Sequence, residues 1–314
     1  MTDRVLTKLK VALEDGDFYG AHQMYLTVVN RYVKGKRIAD AVALLTSGAV
    51  LLCEHKQFGS ALDMATVVTK TWEDNAVPVD DTTLATFIDL LNLFNPASKE
   101  YSELVKVGIR WSSKCGNFAT GEPALHHHIG ITYSNAGREQ EAIRHLMLGT
   151  PESATSHGVL LLRAVSRAVD QNGDRVSPSA AASVVLAPVL QYLSSVRIAH
   201  AVAIFDTFTK GLAVLEPEVV SASLPTSAAT TNAVTVYNAP VLNFAQIVIL
   251  CAQRGEAAAG GYKAVCQQYL TNPDPATQEL IERVGQAVFN IQAPRPQGNM
   301  LQDLMSSLLG GMQQ

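Results

Sequence analysis

The 314-residue sequence predicts an all-α chain, an alpha-solenoid of stacked helix hairpins with a small β-hairpin insert in its C-terminal half. Three observations predict this. Apolar residues recur at spacings of three and four in "VLTKLKVAL", "IADAVALLTSGAVLL", "ALDMATVVTKTW" and "TLATFIDLLNLF", which builds one apolar face on each helix. Strand-like alternation is missing up to about residue 220. A turn followed by a helix also recurs in "GDFYGAHQMY", "GKRIADAVAL" and "KQFGSALDMA", which sets Ala21, Ala41 and Ala61 twenty residues apart, and "NAGREQEAIRH" repeats the theme with Ala142. A small side chain at a fixed place in each unit lets the next helix approach closely. Two such units make a hairpin of about 40 residues, in the size range of tetratricopeptide-like stacked repeats.

Taken in order, the first half reads as helix after helix, with caps expected at Asp81 and Thr82 ahead of "LATFIDLL" and at Ser98 ahead of "EYSELVKVGIRW". The chain divides by pattern into a helical-repeat half at 1–148 and a second helical half at 149–314. "VDQNGDRVSPS" at 169–179 is a polar connector, and 221–244 is an insert whose "AVTVY" is the best strand candidate, followed by Asn238 and Pro240. The tail at 294–314 opens on the linker "APRPQG" and predicts a short helix with Met300, Leu301, Leu304, Met305 and Leu308 on one face.

Composition narrows the function class. Hydrophobic residues make up 47% and charged residues 17%, so the chain can bury a core. A net charge of −4 gives none of the basic excess of broad nucleic-acid binders. Residues 1–150 carry 32 charges and the longer remainder only 20, so the second half is expected to have surface covered by a partner. The four cysteines form no CxxC pair and read as reduced, buried thiols. The N-terminus lacks an apolar run of signal-peptide length, and no stretch approaches 18 uninterrupted apolar residues, so a cytosolic (cytoplasmic) protein that spans no membrane is expected.

Candidate chemistry is sparse. His126, His127 and His128 in "LHHHIG" point about 100° apart on a helix and cannot converge on one metal. A phosphate loop, a dinucleotide fingerprint and a nucleophile elbow are all missing, so no catalytic residues, metal or cofactor are expected. "GDFYGAHQMYLTVVNRYV" at 16–33 gathers Tyr19, His22, Gln23, Arg31 and Tyr32 on one short helix, with Lys34, Lys36 and Arg37 at the following turn. Tyr and Arg are enriched among interface anchors, so this group reads as a mixed aromatic and cationic docking surface for a protein.

The same stretch resembles the opening motif of the Golgi-to-ER traffic protein four family, the scaffold of the guided-entry pathway for tail-anchored membrane proteins and of its animal transmembrane-recognition complex. The similarity continues in "SGAVLL", "IRWSSKCGNFATGEPALHHHIG", "HLMLGT" and "APRPQGNMLQDLMSSLLGG", which spans residues 16–311. It implies a non-enzymatic adaptor. The N-terminal half would dock a dimeric targeting ATPase through Tyr19, His22, Gln23, Arg31, Tyr32, Lys36 and Arg37. The C-terminal half would hold a ubiquitin-like-domain protein in a stable complex, with Val234, Val236, Tyr237, Pro240 and Phe244 as the clamp, and that protein would recruit a tetratricopeptide co-chaperone. The sequence departs from the motif at Leu26, where the family often has Arg. The alternative is a helical-repeat scaffold subunit of another cytosolic complex, such as a proteasome lid. Those usually end in a winged-helix domain, for which this sequence shows no pattern.

Overall fold

The structure is a computed structural model and describes residues 15–169, 173–224, 234–269 and 273–292, together with Thr7, Val11 and Ala12. The expected tail helix at 299–311 and the tip of the insert at 225–233 lie outside the described residues. The described residues are helical apart from one two-stranded antiparallel sheet and an isolated bridge between Val169 and Arg175. It forms two compact units, Met1–Leu160 and Leu161–Gln314.

The first unit is a run of helix hairpins: α1 (Phe18–Lys34), α2 (Ile38–Glu54), α3 (Phe58–Asp74), α4 (Asp81–Asn92), α5 (Lys99–Cys115), α6 (Pro123–Asn135) and α7 (Glu139–Leu146). α8 (Pro151–Arg167) carries the chain across the boundary. Consecutive helices pack as α1 on α2, α2 on α3 and α6 on α7, and α3 also packs on α5.

The twenty-residue period has a backbone cause. Gly16, Lys36 and Lys56 all take positive φ, at 80°, 55° and 60°. Each closes the preceding helix with a left-handed residue, and the next amide reaches back five residues: Arg37 N donates to Tyr32 O at 2.9 Å and Gln57 N to Leu52 O at 2.8 Å. Five positions after each left-handed residue comes an alanine, and Ala21, Ala41, Ala61 and Ala142 are all 0% exposed. The turn sets the angle at which the chain re-enters, and alanine is the side chain that fits where the two helices are then closest.

The same turn recurs in the second unit at Val196 (φ 56°), ahead of buried Ala201. A β-branched residue in this region is strained by roughly 1–2 kcal/mol, and glycine relieves the strain at an entropic cost of under about 1 kcal/mol. Val196 is half exposed, so Val196→Gly removes no core contact. It is expected to raise the second unit's stability by about 0.5–1 kcal/mol, read as a higher urea midpoint by circular dichroism. An unchanged or lower midpoint would contradict the turn geometry.

Two expectations at helix starts resolve differently. The α4 cap is Asp80, one residue before the expected pair. Its carboxylate accepts from Thr83 N at 2.8 Å, while Thr83 Oγ1 accepts from Asp80 N at 2.9 Å. Ser98 caps α5, its hydroxyl accepting from Tyr101 N at 3.1 Å.

The second unit contains α9 (Pro178–Ser183), α10 (Leu186–Ser194), α11 (Ile198–Leu215), β1 (Val220–Leu224), β2 (Val234–Tyr237), α12 (Pro240–Ala252), α13 (Ala259–Tyr269) and α14 (Pro275–Phe289). α10 is central and packs on α11, α12 and α14. β1 and β2 pair with Val220 opposite Tyr237 and Leu224 opposite Val234, with a bulge between Val220 and Ala222. Residues 240–244, assigned to the insert from sequence, form the first turn of α12, where Pro240 supplies the fixed φ suited to a helix start. Among the described residues α11 is the one helix long and apolar enough to cross a membrane by length and composition. It carries Asp206 and Lys210, whose charged groups lie 3.7 Å apart, and it buries Ile204, Phe205, Phe208 and Leu212. Such a helix serves equally as the core of a folded unit.

Candidate protein-binding surfaces

α1 starts at Asp17, whose carboxylate accepts from Gly20 N at 2.9 Å. Its buried stripe is Ala21, Tyr25 and Val29, at four-residue spacing. The opposite side is therefore outward, and it presents Tyr19, 77% exposed, with Gln23, Thr27, Asn30, Arg31 and Lys34. A tyrosine ring standing this far into solvent contributes almost nothing to the fold.

The expected docking group divides over three sectors. Tyr19, Gln23 and Arg31 share the outward face. His22 sits half-buried at its margin, with Nε2 2.9 Å from Asp63 Oδ2 of α3, so it ties two helices together. Tyr32 follows Tyr25 by seven residues and continues the inward stripe. It is half-buried, with the Arg37 guanidinium 4.6 Å over its ring, and Arg37 in turn pairs with Asp40 at 2.7 Å. Lys36 is the exposed left-handed turn residue. Leu26, where the family motif often has Arg, is half-buried and packs against the core. Thr27 and Asn30 were missed because they are small and polar, but their spacing from Gln23 was a readable sign of the outward stripe.

The histidine triplet is structural. His126 is 2% exposed, with Nε2 2.9 Å from Thr120 O and Nδ1 3.0 Å from His145 Nδ1. His127 Nδ1 lies 2.8 Å from Ser153 Oγ, and His128 Nε2 lies 3.1 Å from Asn92 Oδ1. The three rings thus reach three different neighbours. His127 and His128 are half-buried and bonded to protein groups rather than left in water. Burial and the neighbouring His127 lower the His128 pKa, and Asp89 opposes that shift. Among the described residues no group of three or more His, Cys, Asp or Glu gathers to hold a metal. The four cysteines are free and half-buried. Burial raises the Cys115 thiol, as does Glu73, whereas a reactive thiol needs a lowered pKa.

In the second unit, β1, β2, α11 and α12 enclose an open groove of about 1080 Å³. Asn243 of α12 holds β2 in place: its Oδ1 accepts from Tyr237 N at 2.9 Å and its Nδ2 donates to Tyr237 O at 2.8 Å. Gln246 Nε2 donates to Thr235 O at 2.9 Å. These side chains occupy the outer edge of β2. Of the expected clamp, Val234 and Tyr237 line the groove. Tyr237 is 8% exposed and stands edge-on to Phe205, while Phe244 is 1% exposed and belongs to the core. Val234 and Val236 are half-buried and Pro240 is exposed, so these three keep more free surface than Tyr237 and Phe244. Sequence reasoning missed Val202 of α11 and Ile247 and Leu250 of α12, which line the same groove.

The chain is similar to proteins that carry one name. The family described as Golgi to ER traffic protein 4 matches residues 35–309. The Golgi to ER traffic protein 4 homolog of Bos taurus is 29% identical over 99% of this chain and 88% of its own length. The homolog of Homo sapiens is 28% identical over the same shares. The crystal structure of C. therm. Get4 superposes with a TM-score of 0.78 at 26% identity, covering 98% of this chain and 95% of that one. With a matched family region from 35 to 309, helices in the same arrangement and full-length relatives, this chain belongs to the Golgi to ER traffic protein 4 family.

Proposed function

We propose that this protein is a non-enzymatic cytosolic adaptor in the Golgi-to-ER traffic pathway. It bridges the dimeric ATPase that targets tail-anchored proteins to a ubiquitin-like-domain protein and, through it, to a tetratricopeptide co-chaperone. The client then passes to the ATPase for insertion into the ER membrane. Family membership supports the pathway. The observation that carries the two-partner reading is that each compact unit bears its own candidate surface, the outward strip of α1 in one and the hairpin with its groove in the other.

The two surfaces differ in chemistry. Tyr19, Gln23, Arg31 and Lys34 form a wet, polar and aromatic strip suited to a transient contact that weakens in salt. The groove sets Val202, Val220, Val234, Ile247 and Leu250 among polar side chains and suits a lasting partner, whose interface would be large and more apolar than the strip's. The adaptor would act by position, binding one state of the ATPase more tightly. A tenfold preference needs only about 1.4 kcal/mol.

The test is a pair of variants of the full chain. Tyr19→Ala with Arg31→Glu removes two exposed groups without touching the core, and is expected to weaken ATPase binding at least tenfold while the ubiquitin-like partner stays bound. Tyr32→Ala is expected to weaken ATPase binding too, but through the lost Arg37 stack and with a small drop in stability. Wild-type ATPase affinity in the first variant would overturn the assignment of the strip. Loss of both partners with an unchanged melting curve would overturn the separation of the two sites.

A further inference from the structure

α11 is apolar along most of its length, yet only 33% of it is buried. Part of what remains, Val202, Asp206, Lys210 and Ala213, faces the groove. Val202 of α11, Val220 of β1 (38% exposed) and Ile247 and Leu250 (39% exposed) of α12 form its walls, over a floor that includes Phe205 and Tyr237. These apolar side chains stand beside Asp206, Lys210, Gln246, Gln253 and Arg254, so the groove offers the mixed apolar and polar lining that an amphipathic segment fits.

The path of the chain says what covers it. α14 ends at Asn290 in the left-handed conformation, and Ile291 N donates to Gly285 O at 2.9 Å, which turns the chain back over α14. Ile291 and Gln292 then line a hollow shared with Tyr262 of α13. The residue before Tyr262 is Gly261, which lines the groove. The described chain therefore ends beside α13, the helix whose Gly261 lines the groove. Residues 293–298, "APRPQG", reach about 20 Å when extended. The thirteen residues 299–311 make a helix of about 20 Å, shorter than the eighteen-residue α11 at about 27 Å.

Composition matches as well. Met300, Leu301, Leu304, Met305 and Leu308 share one helical face, and the segment's single charge is Asp303. Arg254 stands at the groove as a cation for that carboxylate, whereas Lys210 already pairs with Asp206, which lines the same groove. Unbranched methionine fills irregular apolar hollows well.

We propose that residues 299–311 lie in the α11–hairpin–α12 groove of their own chain as an amphipathic helix. This segment covers the groove in the free protein. Any partner that uses the groove must displace it, so the segment sets a threshold for binding there. The placement concerns the free chain and does not depend on the bridging role.

The experiment places a photo-reactive benzoylphenylalanine at Leu304 of the purified full chain, with Ser306 on the opposite helical face as control. Light and heavy isotope forms are mixed so that contacts between chains can be recognised. Leu304 is expected to cross-link within its own chain to α11 and α12 residues of the groove, at several times the yield from Ser306. Leu250→Asp, or Val220→Asp as a second exposed-wall variant, is expected to cut that yield at least fivefold with an unchanged melting curve. Cross-links elsewhere, equal yields from the two positions, links between light and heavy chains, no links at all, or insensitivity to both wall variants would overturn the proposal. Because no partner is present, failure here leaves the ATPase and ubiquitin-like binding tests standing.

Discussion

Trp111→Ala is expected to destabilise the first unit by about 3–5 kcal/mol, a large share of the roughly 5–15 kcal/mol that holds a domain folded. Trp111 is 0% exposed and joins three helices: its ring lies 4.7 Å from Trp72 of α3 and 5.5 Å from Phe87 of α4. The helices cannot collapse to refill the space, because Gly108 already brings Phe87 against the α5 backbone. A Cβ added at Gly108 would sit 2.2 Å from the Phe87 ring. Trp111→Phe separates packing from polarity. Among the described residues the Trp111 Nε1 donor has no hydrogen-bond partner, so phenylalanine loses volume but no bond and is expected to cost about half as much. Trp72 remains as the only tryptophan in either variant, so its fluorescence during urea unfolding reports the first unit alone. A loss below about 1 kcal/mol for the alanine variant would mean that the aromatic stack does not hold α3, α4 and α5 together.

Mild acid is expected to have an effect of similar size. Burial lowers the pKa of His145 to about 4, with help from His126 and Arg144, and burial alone lowers His157 to about 4. The His145 value has a visible mechanism. Thr120 O can only accept, so the nitrogen of His126 beside it carries the proton and the other nitrogen accepts from His145 Nδ1–H. A second proton on His145 would therefore go to Nε2, and burial is what disfavours the charge there. In the unfolded chain both residues titrate near 6.5. Between pH 6.5 and 4 the unfolded state therefore binds protons that the folded state refuses, and stability falls as pH falls through that window. Each histidine contributes on the order of 3 kcal/mol to the loss, complete by about pH 4, and neither contributes above pH 7. Asp80 and Glu141, with pKa values lowered by their hydrogen bonds to Thr83 and Arg138, add their own loss only at lower pH. The double variant His145→Gln, His157→Gln is expected to flatten the curve between pH 4 and 6.5. An unchanged slope would assign the acid sensitivity to other groups.

Much of this protein is legible as a string. The apolar spacing marks the helices, and the recurrence of Ala21, Ala41 and Ala61 marks a repeating turn because only a methyl group fits where the helices touch. The left-handed residues that build that turn were harder to see, since Lys36, Lys56 and Val196 stand where glycine would have announced them. The packing after each turn holds those residues in place at a local cost. Single helices also mislead at their ends. Tyr32 belongs to the inward stripe by spacing, but α1 has begun to emerge from its neighbours there, so the ring is half covered and available for Arg37. Tyr237 and Phe244 sit in a stretch that reads as an exposed insert, yet both turn inward because α12 begins at Pro240 and draws them against α11 and α13.

From sequence alone come the helical class, the period, the strand pair at the insert and the family to which the chain belongs. These depend on local spacing and on residue identity, and neither changes when the chain folds. The tertiary structure alone decided which of the five polar residues of α1 face outward, that the three histidines serve three separate neighbours, and that α11, the hairpin and α12 leave a groove between them. Those outcomes depend on where other helices lie around each side chain. Periodicity sets angles within one helix but carries no record of its neighbours.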